Sequence, residues 1–165
     1  MLNRLLVIVG IALVVMSCAK DSVTNPPVTV EFTNTEFMKA TVKGVAYNSV
    51  TASSSGTVTG GQVFFTIAAT GTAGILQLSA SVPETGTGTF TLGDGITDKG
   101  VISFTTFESG SGVTYSTTNG ATGSITIEKI DVTQKRVRGK FSGTVKQEDG
   151  STIEIKDGTF EAKWT

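Results

Sequence analysis

Apolar and polar residues alternate at every second position in several segments after residue 36. The apolar sets are Met38, Ala40 and Val42; Val63, Phe65 and Ile67; Leu76, Leu78, Ala80 and Val82; and Val137, Gly139, Phe141, Gly143 and Val145. A period of two is typical of an antiparallel β-strand with one buried and one solvated face. Because this region shows no sustained helical periodicity, the pattern predicts an all-β domain.

Two short loops predict how neighbouring strands pair. The two-residue loop between Val42 and Val45 predicts a hairpin in which these valines lie opposite each other. The three-residue loop Glu148–Gly150 places a glycine where a type I turn followed by a left-handed residue requires one. This second loop sets Val145 opposite Ile153, so that apolar residues meet on the inner face.

The last predicted strand changes its alternation partway along. Ile155 stands at an odd position, whereas Phe160 and Trp164 stand at even positions. Since a shift of one residue turns every following side chain to the opposite face, an extra residue must be accommodated between them. We predict a β-bulge at Asp157–Gly158 and a buried Trp164. A similar change of parity occurs between residues 127 and 130.

These segments amount to about eight to ten strands, with no helix after the N-terminal region. The predicted fold class is all-β, an antiparallel meander that forms a barrel or a flattened sandwich. It forms a single domain over residues 36–165. The segment Val101–Phe107 has apolar or hydroxyl-bearing residues on both faces, which predicts a strand buried on both sides or bordering a cavity.

The first residues have the layout of a bacterial lipoprotein signal. Arg4 supplies a positive charge, Leu5–Met16 is an uninterrupted apolar run, and Cys18 follows after one serine. The run is shorter than the roughly 20 apolar residues that span a bilayer. We therefore predict a lipoprotein signal peptide over residues 1–17, and a lipidated Cys18 with a polar tether over residues 18–35.

Three alternatives for this region remain open. An ordinary cleaved signal with an incidental cysteine has the same layout, since Met16 stands where a smaller residue is usual. A retained membrane helix is disfavoured by Lys20-Asp21 and by two prolines, which close the apolar stretch early. Finally, Val28–Phe32 could begin the domain as an edge strand instead of belonging to the tether.

Composition limits the chemistry available to this chain. Cleavage before Cys18 leaves 148 of the 165 residues, with 12 basic and 14 acidic side chains and a net charge near −2. A nucleic-acid surface would be basic and clustered, so we expect no such partner. Histidine is absent, and Cys18 is the one cysteine. Because the commonest general base and, after acylation, the thiolate are both missing, we expect neither an enzyme nor a bound cofactor or metal.

Three groups of polar residues are candidate sites, and each has a simpler structural interpretation. They are the segment Asp94–Gly100, the acidic residues Glu148, Asp149, Glu154 and Asp157, and the basic residues Arg136, Arg138, Lys140 and Lys146. The segment offers oxygen ligands to calcium but lacks the spacing of a calcium loop and is typical of a turn. The acidic group lacks the cleft that paired-carboxylate catalysis needs. The basic stripe could meet an anionic glycan, although such stripes more often protect an exposed sheet.

Several segments carry a resemblance to a known family. They are the lipoprotein signal with its short tether, Phe37–Gly44, Gly88–Gly93, Gly123–Phe141 and Ile155–Phe160. In these segments the chain resembles small, uncharacterised Bacteroidetes-type envelope lipoproteins with an all-β domain of unknown function. Members often carry tryptophan where this chain has Tyr47. The matching positions are turns and core residues, so the resemblance implies a fold and no catalytic residues.

Two classes of function follow from these observations. The first is a non-enzymatic binding or structural module of the cell envelope, held to the membrane by lipid on Cys18, that contacts a glycan or an envelope protein. The alternative is a lipocalin-like carrier of a small apolar ligand, which needs an apolar cavity of roughly 300 Å³ or more. Ala19 after the lipidated cysteine favours the outer membrane, and the choice between its periplasmic and cell-surface faces stays open.

Overall fold

A computed structural model describes residues 29–95, 98–107 and 111–164 of the protein. The predicted signal peptide, Cys18 and the first part of the tether therefore lie outside the described residues. Within them, the chain forms antiparallel strands and no helix, as the alternating pattern predicts. The described residues therefore contain no helix that is long and apolar enough to cross a membrane.

The described residues form eleven strands, one more than the upper end of the predicted range. They are β1 (Phe37–Val42), β2 (Val45–Asn48), β3 (Thr51–Thr59), β4 (Gln62–Gly71), β5 (Gly74–Pro83), β6 (Gly88–Leu92), β7 (Gly100–Thr106), β8 (Val113–Ser116), β9 (Gly123–Asp131), β10 (Arg136–Lys146) and β11 (Thr152–Lys163). Strands β2 and β8 have four residues each. Segments this short carry too little alternation to be recognised from sequence.

The strands belong to one sheet that curls into a half-barrel. Their order is β2-β1-β11-β10-β8-β7-β5-β4-β3, while β9 pairs with β10 and with β6. The curl brings β3 next to the end of β11, where the Ser54 hydroxyl accepts a hydrogen bond from the Lys163 amide at 2.8 Å. The same hydroxyl lies 2.7 Å from the Glu36 carboxylate. A side chain of the end strand β3 thus contacts β11 across the curl, and the predicted barrel-like architecture is confirmed as an open half-barrel.

Both predicted hairpins have the expected register. Val42 lies opposite Val45, and the turn residues Lys43 and Gly44 have φ values of 51° and 76°. Two positive φ values define a type I′ turn, whose twist matches that of the flanking strands. In the last hairpin Val145 lies opposite Ile153, as predicted.

The predicted bulge lies at Asp157 in β11. Ile155 faces Gly143 of β10, yet the next pair along joins Gly158 to Phe141, so β11 contains one extra residue here. Asp157 adopts a left-handed backbone with a φ of 52°. Because an aspartate tolerates this conformation better than most residues, the chain can absorb the change of parity at this point. A second irregularity in β9 adds Glu128 opposite β10, in the segment where the parity changes.

The inner face of the curled sheet is packed with apolar side chains. Among the aromatic residues, the rings of Phe65 and Phe160 stack with centroids 5.6 Å apart, and Phe141 lies 6.2 Å from Phe160. Trp164 is 2% exposed, so its predicted burial is confirmed. These contacts link strands that lie far apart in the strand order, because Phe65 belongs to β4 whereas Phe141 and Phe160 belong to β10 and β11.

Strand β7 is buried on one face. Ile102 and Phe104 point into the core, whereas Val101 and Ser103 are half-buried on the outer face and Phe107 is exposed. Of the two alternatives predicted for this segment, burial on both sides is therefore wrong. The other alternative is confirmed, since Val101 borders two surface cavities.

Tyr47 supplies a buried hydroxyl to this apolar core. Its hydroxyl donates a hydrogen bond to the carbonyl of Ala69 and lies 3.3 Å from that of Gly74. Its ring meets Phe104 edge-to-face at 6.3 Å. Burial raises the pKa of Tyr47 above its ordinary value, against the opposing effect of a backbone hydrogen bond from Leu76.

Replacing Trp164 with alanine should strongly destabilise the domain. Removing a fully buried aromatic side chain costs about 3–5 kcal/mol, so we expect the free energy of unfolding in urea to fall by that amount. Trp164→Phe should cost clearly less, because it keeps most of the buried area. As Trp164 is the one tryptophan, its emission should lie to the blue of the denatured spectrum. A cost below about 1 kcal/mol for the alanine variant would contradict its role in the core.

The stability that Tyr47 provides should disappear at alkaline pH. The raised pKa means that the native state favours the neutral phenol, so its contribution is complete below the unfolded pKa of about 10 and is lost as pH rises through the native pKa. Below pH 9, Tyr47→Phe should lower the free energy of unfolding by about 0.5–1.5 kcal/mol, since the buried hydrogen bond from the hydroxyl to the Ala69 carbonyl is lost. Urea titrations of the wild type and of Tyr47→Phe between pH 8 and 11 measure the difference in their free energies of unfolding. A difference that stays constant up to pH 11 would show that the hydroxyl does not titrate as expected.

Candidate binding face

The outer surface of the curled sheet divides by charge. The five strands β3, β4, β5, β7 and β8 contain no charged residue, and residues 44–83 form an unbroken run without one. We call the outward side of these strands the charge-free face. Its side chains are mostly hydroxyl-bearing or amide-bearing: Thr51, Ser53, Ser55, Thr57, Thr59, Gln62, Thr66, Thr70, Gln77, Ser79, Ser81, Ser103, Thr105, Thr114 and Ser116.

Strands β1, β9, β10 and β11 supply the charged side chains of the sheet. We call the outward side of β1, β9, β10 and β11 the charged face. Ion pairs cover part of it: Lys140 contacts Glu128 at 2.5 Å, and Lys156 contacts Glu154 at 2.9 Å. The Glu154 pair raises the pKa of Lys156. Charges on the charged face are therefore partly balanced by neighbouring charges of opposite sign. The strands of the charge-free face carry no charge that needs balancing.

Hydroxyl groups on the charge-free face pair across strands. The hydroxyls of Thr66 and Ser79 lie 2.9 Å apart, as do those of Thr105 and Thr114. Each pair joins directly opposite residues of adjacent strands. Such cross-strand pairs fix the side chains in defined positions while each hydroxyl keeps further hydrogen-bonding capacity.

A shallow groove of about 590 Å³ crosses the charge-free face. Strands β3, β4 and β5 form its floor, and the segment from Asp98 to Val101 forms one side. Phe64 lies in this groove with 41% of its surface exposed, opposite Thr57 on one side and Ser81 on the other. The exposed ring offers an apolar surface among hydroxyl groups, which a ligand with one apolar face can cover.

A second cavity extends the groove along β7 and β8. It measures about 580 Å³ and includes Ser103, Thr114 and Ser116 in its lining. Both cavities include Val101 in their lining, so they are neighbours on this face. Together they border the five strands β3, β4, β5, β7 and β8, and Glu148 belongs to the lining of the second.

On the charged face, the N-terminal segment covers an otherwise outward carboxylate. Glu161 of β11 is 0% exposed because residues 31–34 lie over it. Its carboxylate accepts hydrogen bonds from the Thr33 amide at 2.7 Å and the Thr33 hydroxyl at 2.9 Å. It also forms an ion pair with Arg136, which is itself 7% exposed. We call Glu161, Arg136 and residues 31–34 the clamp.

Further contacts complete the clamp. Arg136 donates a hydrogen bond to the Asn34 side chain at 2.6 Å, and Arg138 donates one to the Glu31 carbonyl at 2.6 Å. The Phe32 ring lies beneath the guanidinium of Arg136, 5.2 Å from its centroid. Residues 29–33 form no strand, so the alternative prediction of an edge strand here is wrong for the described part of that segment. The chain is instead held by side chains of the sheet, because the carboxylate and guanidinium groups supply strong partners for its polar groups.

The predicted basic stripe is divided by these contacts. Arg136 is part of the clamp, Arg138 donates a hydrogen bond to its Glu31 carbonyl, and Lys140 is paired with Glu128. Three of the four side chains are therefore engaged within the protein, and Lys146 lies half-buried at the end of β10. What appeared in the sequence as a possible anionic-ligand site is largely a set of internal ion pairs.

The acidic candidates lie at turns and on the surface. The Asp149 carboxylate accepts hydrogen bonds from the hydroxyl and amide of Ser151, and these lower the pKa of Asp149. The Asp98 carboxylate accepts one from the Gly95 amide at 2.7 Å, which is the contact of a turn. Across residues 29–95, 98–107 and 111–164, no three acidic side chains approach closely enough to hold a metal ion.

Individual sequence motifs do not predict the charge-free face. The relevant signal is the run of forty residues from 44 to 83 without a charged side chain. The alternating pattern assigns serine and threonine to strands and turns one segment at a time. The pairing of β3, β4 and β5 is what assembles these separate polar positions into one surface.

Comparison with known proteins identifies a family but no function. A family model described as a domain of unknown function (DUF6252) matches residues 34–162. No curated protein and no solved structure matches the chain.

Neutralising Glu161 should destabilise the protein far more than neutralising a surface carboxylate. Glu161→Gln leaves the Arg136 charge buried without its counter-ion, which costs about 3–5 kcal/mol. Glu154→Gln is the matched control, since Glu154 also pairs with a cation but is 60% exposed, and such pairs contribute about 1 kcal/mol or less. Urea denaturation of both variants measures the difference. Equal effects would show that the clamp is not an essential part of the fold.

Proposed function

The chain belongs to the DUF6252 family of domains of unknown function, and on that premise we propose that it is a lipid-anchored, non-enzymatic binding or structural module of the cell envelope. Lipid on Cys18 would hold it to the outer membrane, and the charge-free face would contact its partner. The observation that carries the proposal is the separation of charge on the outer surface. Five strands without a charged residue form one side.

The position of the clamp supports this arrangement. Residues 31–34 are bound to the charged face through Glu161 and Arg136. The described part of the predicted tether that these contacts hold therefore lies on the charged face. A tether attached in this way would present the charge-free face to a partner in the envelope.

The chemistry of the exposed hydroxyls supports a role in binding. Nucleophilic catalysis by serine or threonine needs an adjacent base that accepts the hydroxyl proton. Thr66, Ser79, Thr105 and Thr114 have other hydroxyls as their nearest partners, and the sequence contains no histidine. Hydroxyls arranged in this way hydrogen-bond to a ligand without reacting with it.

The packing of the inner face favours this module over the lipocalin-like carrier. Phe65, Phe160 and Trp164 fill the space between strands on the two sides of the curl. The cavities described above open on the outer side of the sheet. The carrier therefore stays a prediction that these contacts do not support.

The lipid anchor is tested by metabolic labelling with an alkyne-bearing fatty acid in a bacterial host. The full-length protein should become labelled, and Cys18→Ala should not, because Cys18 is the one cysteine to which a lipid can be attached. Ser17→Ala is the control, since alanine keeps a small residue before the cysteine and should leave labelling intact. Equal labelling of the wild type and Cys18→Ala would overturn the proposed anchor.

The contact surface is tested by photo-crosslinking in intact cells. Benzoylphenylalanine replaces Thr57 on the charge-free face or Thr152 on the charged face, and both threonines are exposed strand residues. An adduct should form from position 57, with little or none from position 152. Equal adducts from both positions, or none from position 57, would contradict the assignment of the charge-free face as the binding surface.

A further inference from the structure

We propose that the groove around Phe64 is a binding site for an uncharged polysaccharide chain. This inference rests on the proposed function and names the class of ligand for its contact surface. It follows from three properties of the groove: its neutrality, its hydroxyl groups and its exposed aromatic ring.

Neutrality is the first property. The strands of the groove supply no charged side chain, and its charged lining residues are Asp98 and Lys99 at one margin. The Asp98 carboxylate is already bound by the Gly95 amide. A nucleic acid, an anionic glycan or an anionic lipid surface depends on cationic groups for steering and affinity. An uncharged ligand needs none, and it does not require the removal of water from fixed charges on this face.

Hydrogen-bonding capacity is the second property. The floor of the groove includes Ser55, Thr57, Thr66, Ser79 and Ser81. A hydroxyl side chain both donates and accepts, and so does each hydroxyl of a sugar. The 2.9 Å contact between Thr66 and Ser79 holds two of these groups in place before a ligand arrives. Fixed hydroxyls therefore lose little conformational entropy on binding.

The exposed ring is the third property. The C–H face of a pyranose is apolar, and it can cover the Phe64 ring while the sugar hydroxyls reach Thr57 and Ser81 on the adjacent strands. A protein partner would usually require tryptophan, tyrosine or arginine as anchors. The five strands of this face carry none of these outside the core, since Tyr115 pairs with Phe104 on the inner side. One aromatic ring among hydroxyls thus fits a glycan better than a protein.

The shape of the groove indicates a chain and not a single sugar. The groove itself, at about 590 Å³, lies within the range of about 300–1,000 Å³ for ligand sites. The second cavity shares Val101 with it and lies along β7 and β8. A linear polymer can occupy both cavities at once, which multiplies weak contacts along its length.

Affinity electrophoresis of the detergent-solubilised full-length protein tests the inference. Native gels contain one uncharged polysaccharide each (dextran, xylan, galactomannan or mixed-linkage β-glucan), with dextran sulfate and alginate as anionic probes. At least one uncharged polymer should retard the wild type. Phe64→Ala should weaken that retardation at least tenfold, expressed as the dissociation constant. Phe37→Ala, which removes a partly exposed phenylalanine from the charged face, should leave it unchanged.

A second pair of variants separates loss of binding from loss of folding. Thr57→Lys places a charge in the groove and Thr152→Lys places one on the charged face, both at exposed positions. The first should abolish retardation and the second should not, while both keep the native Trp164 emission. Retardation by anionic polymers alone, retardation by none of the uncharged polymers, or wild-type binding by Phe64→Ala would each overturn the inference. A protein adduct from position 57 in the crosslinking experiment would also overturn it, yet would leave the proposed binding face intact.

Discussion

The whole sheet depends on one extra residue in β11, because a strand can present apolar side chains to the core along its full length only if its parity is preserved. Ile155 and Phe160 both point inward, although they stand five positions apart. The bulge at Asp157 makes this possible, and it acts on both neighbours, since β1 and β10 each change register opposite it. Without it, either the first or the second half of β11 would turn its apolar side chains to water.

That constraint also explains the clamp. After the bulge, the inward positions are Phe160, Ala162 and Trp164, so Glu161 must point outward beside Arg138 of β10. An outward carboxylate would normally be hydrated, but residues 31–34 cover it and supply the hydrogen bonds that water would otherwise make. The charged face therefore binds the N-terminal segment through its charged side chains. The strands of the charge-free face carry no such charges, and this difference is the basis for assigning ligand binding to the charge-free face.

Much of the fold was predictable, because registers and bulges are local consequences of turn length and parity. The pairs Val42–Val45 and Val145–Ile153, the bulge at Asp157 and the burial of Trp164 all follow from residues close in sequence. The candidate site was not predictable in the same way. Phe64 lies beside Ser81 only because β4 pairs with β5 in one register, and Glu161 meets Thr33 across 128 positions. Contacts between distant segments leave no periodic signal in the sequence.

The junction between β3 and β11 has a consequence for the motions of the domain. Within the described sheet β3 pairs with β4, and the Ser54 hydroxyl, not a backbone ladder, joins it to Lys163. Separating the two strands breaks side-chain contacts while every ladder in the sheet remains intact. Local opening should therefore begin along this line, and native-state hydrogen exchange should be faster for the outer amides of β3 than for those of β4 and β5. The half-barrel would then widen by separation of β3 from β11, while its strands remain paired and the domain remains folded.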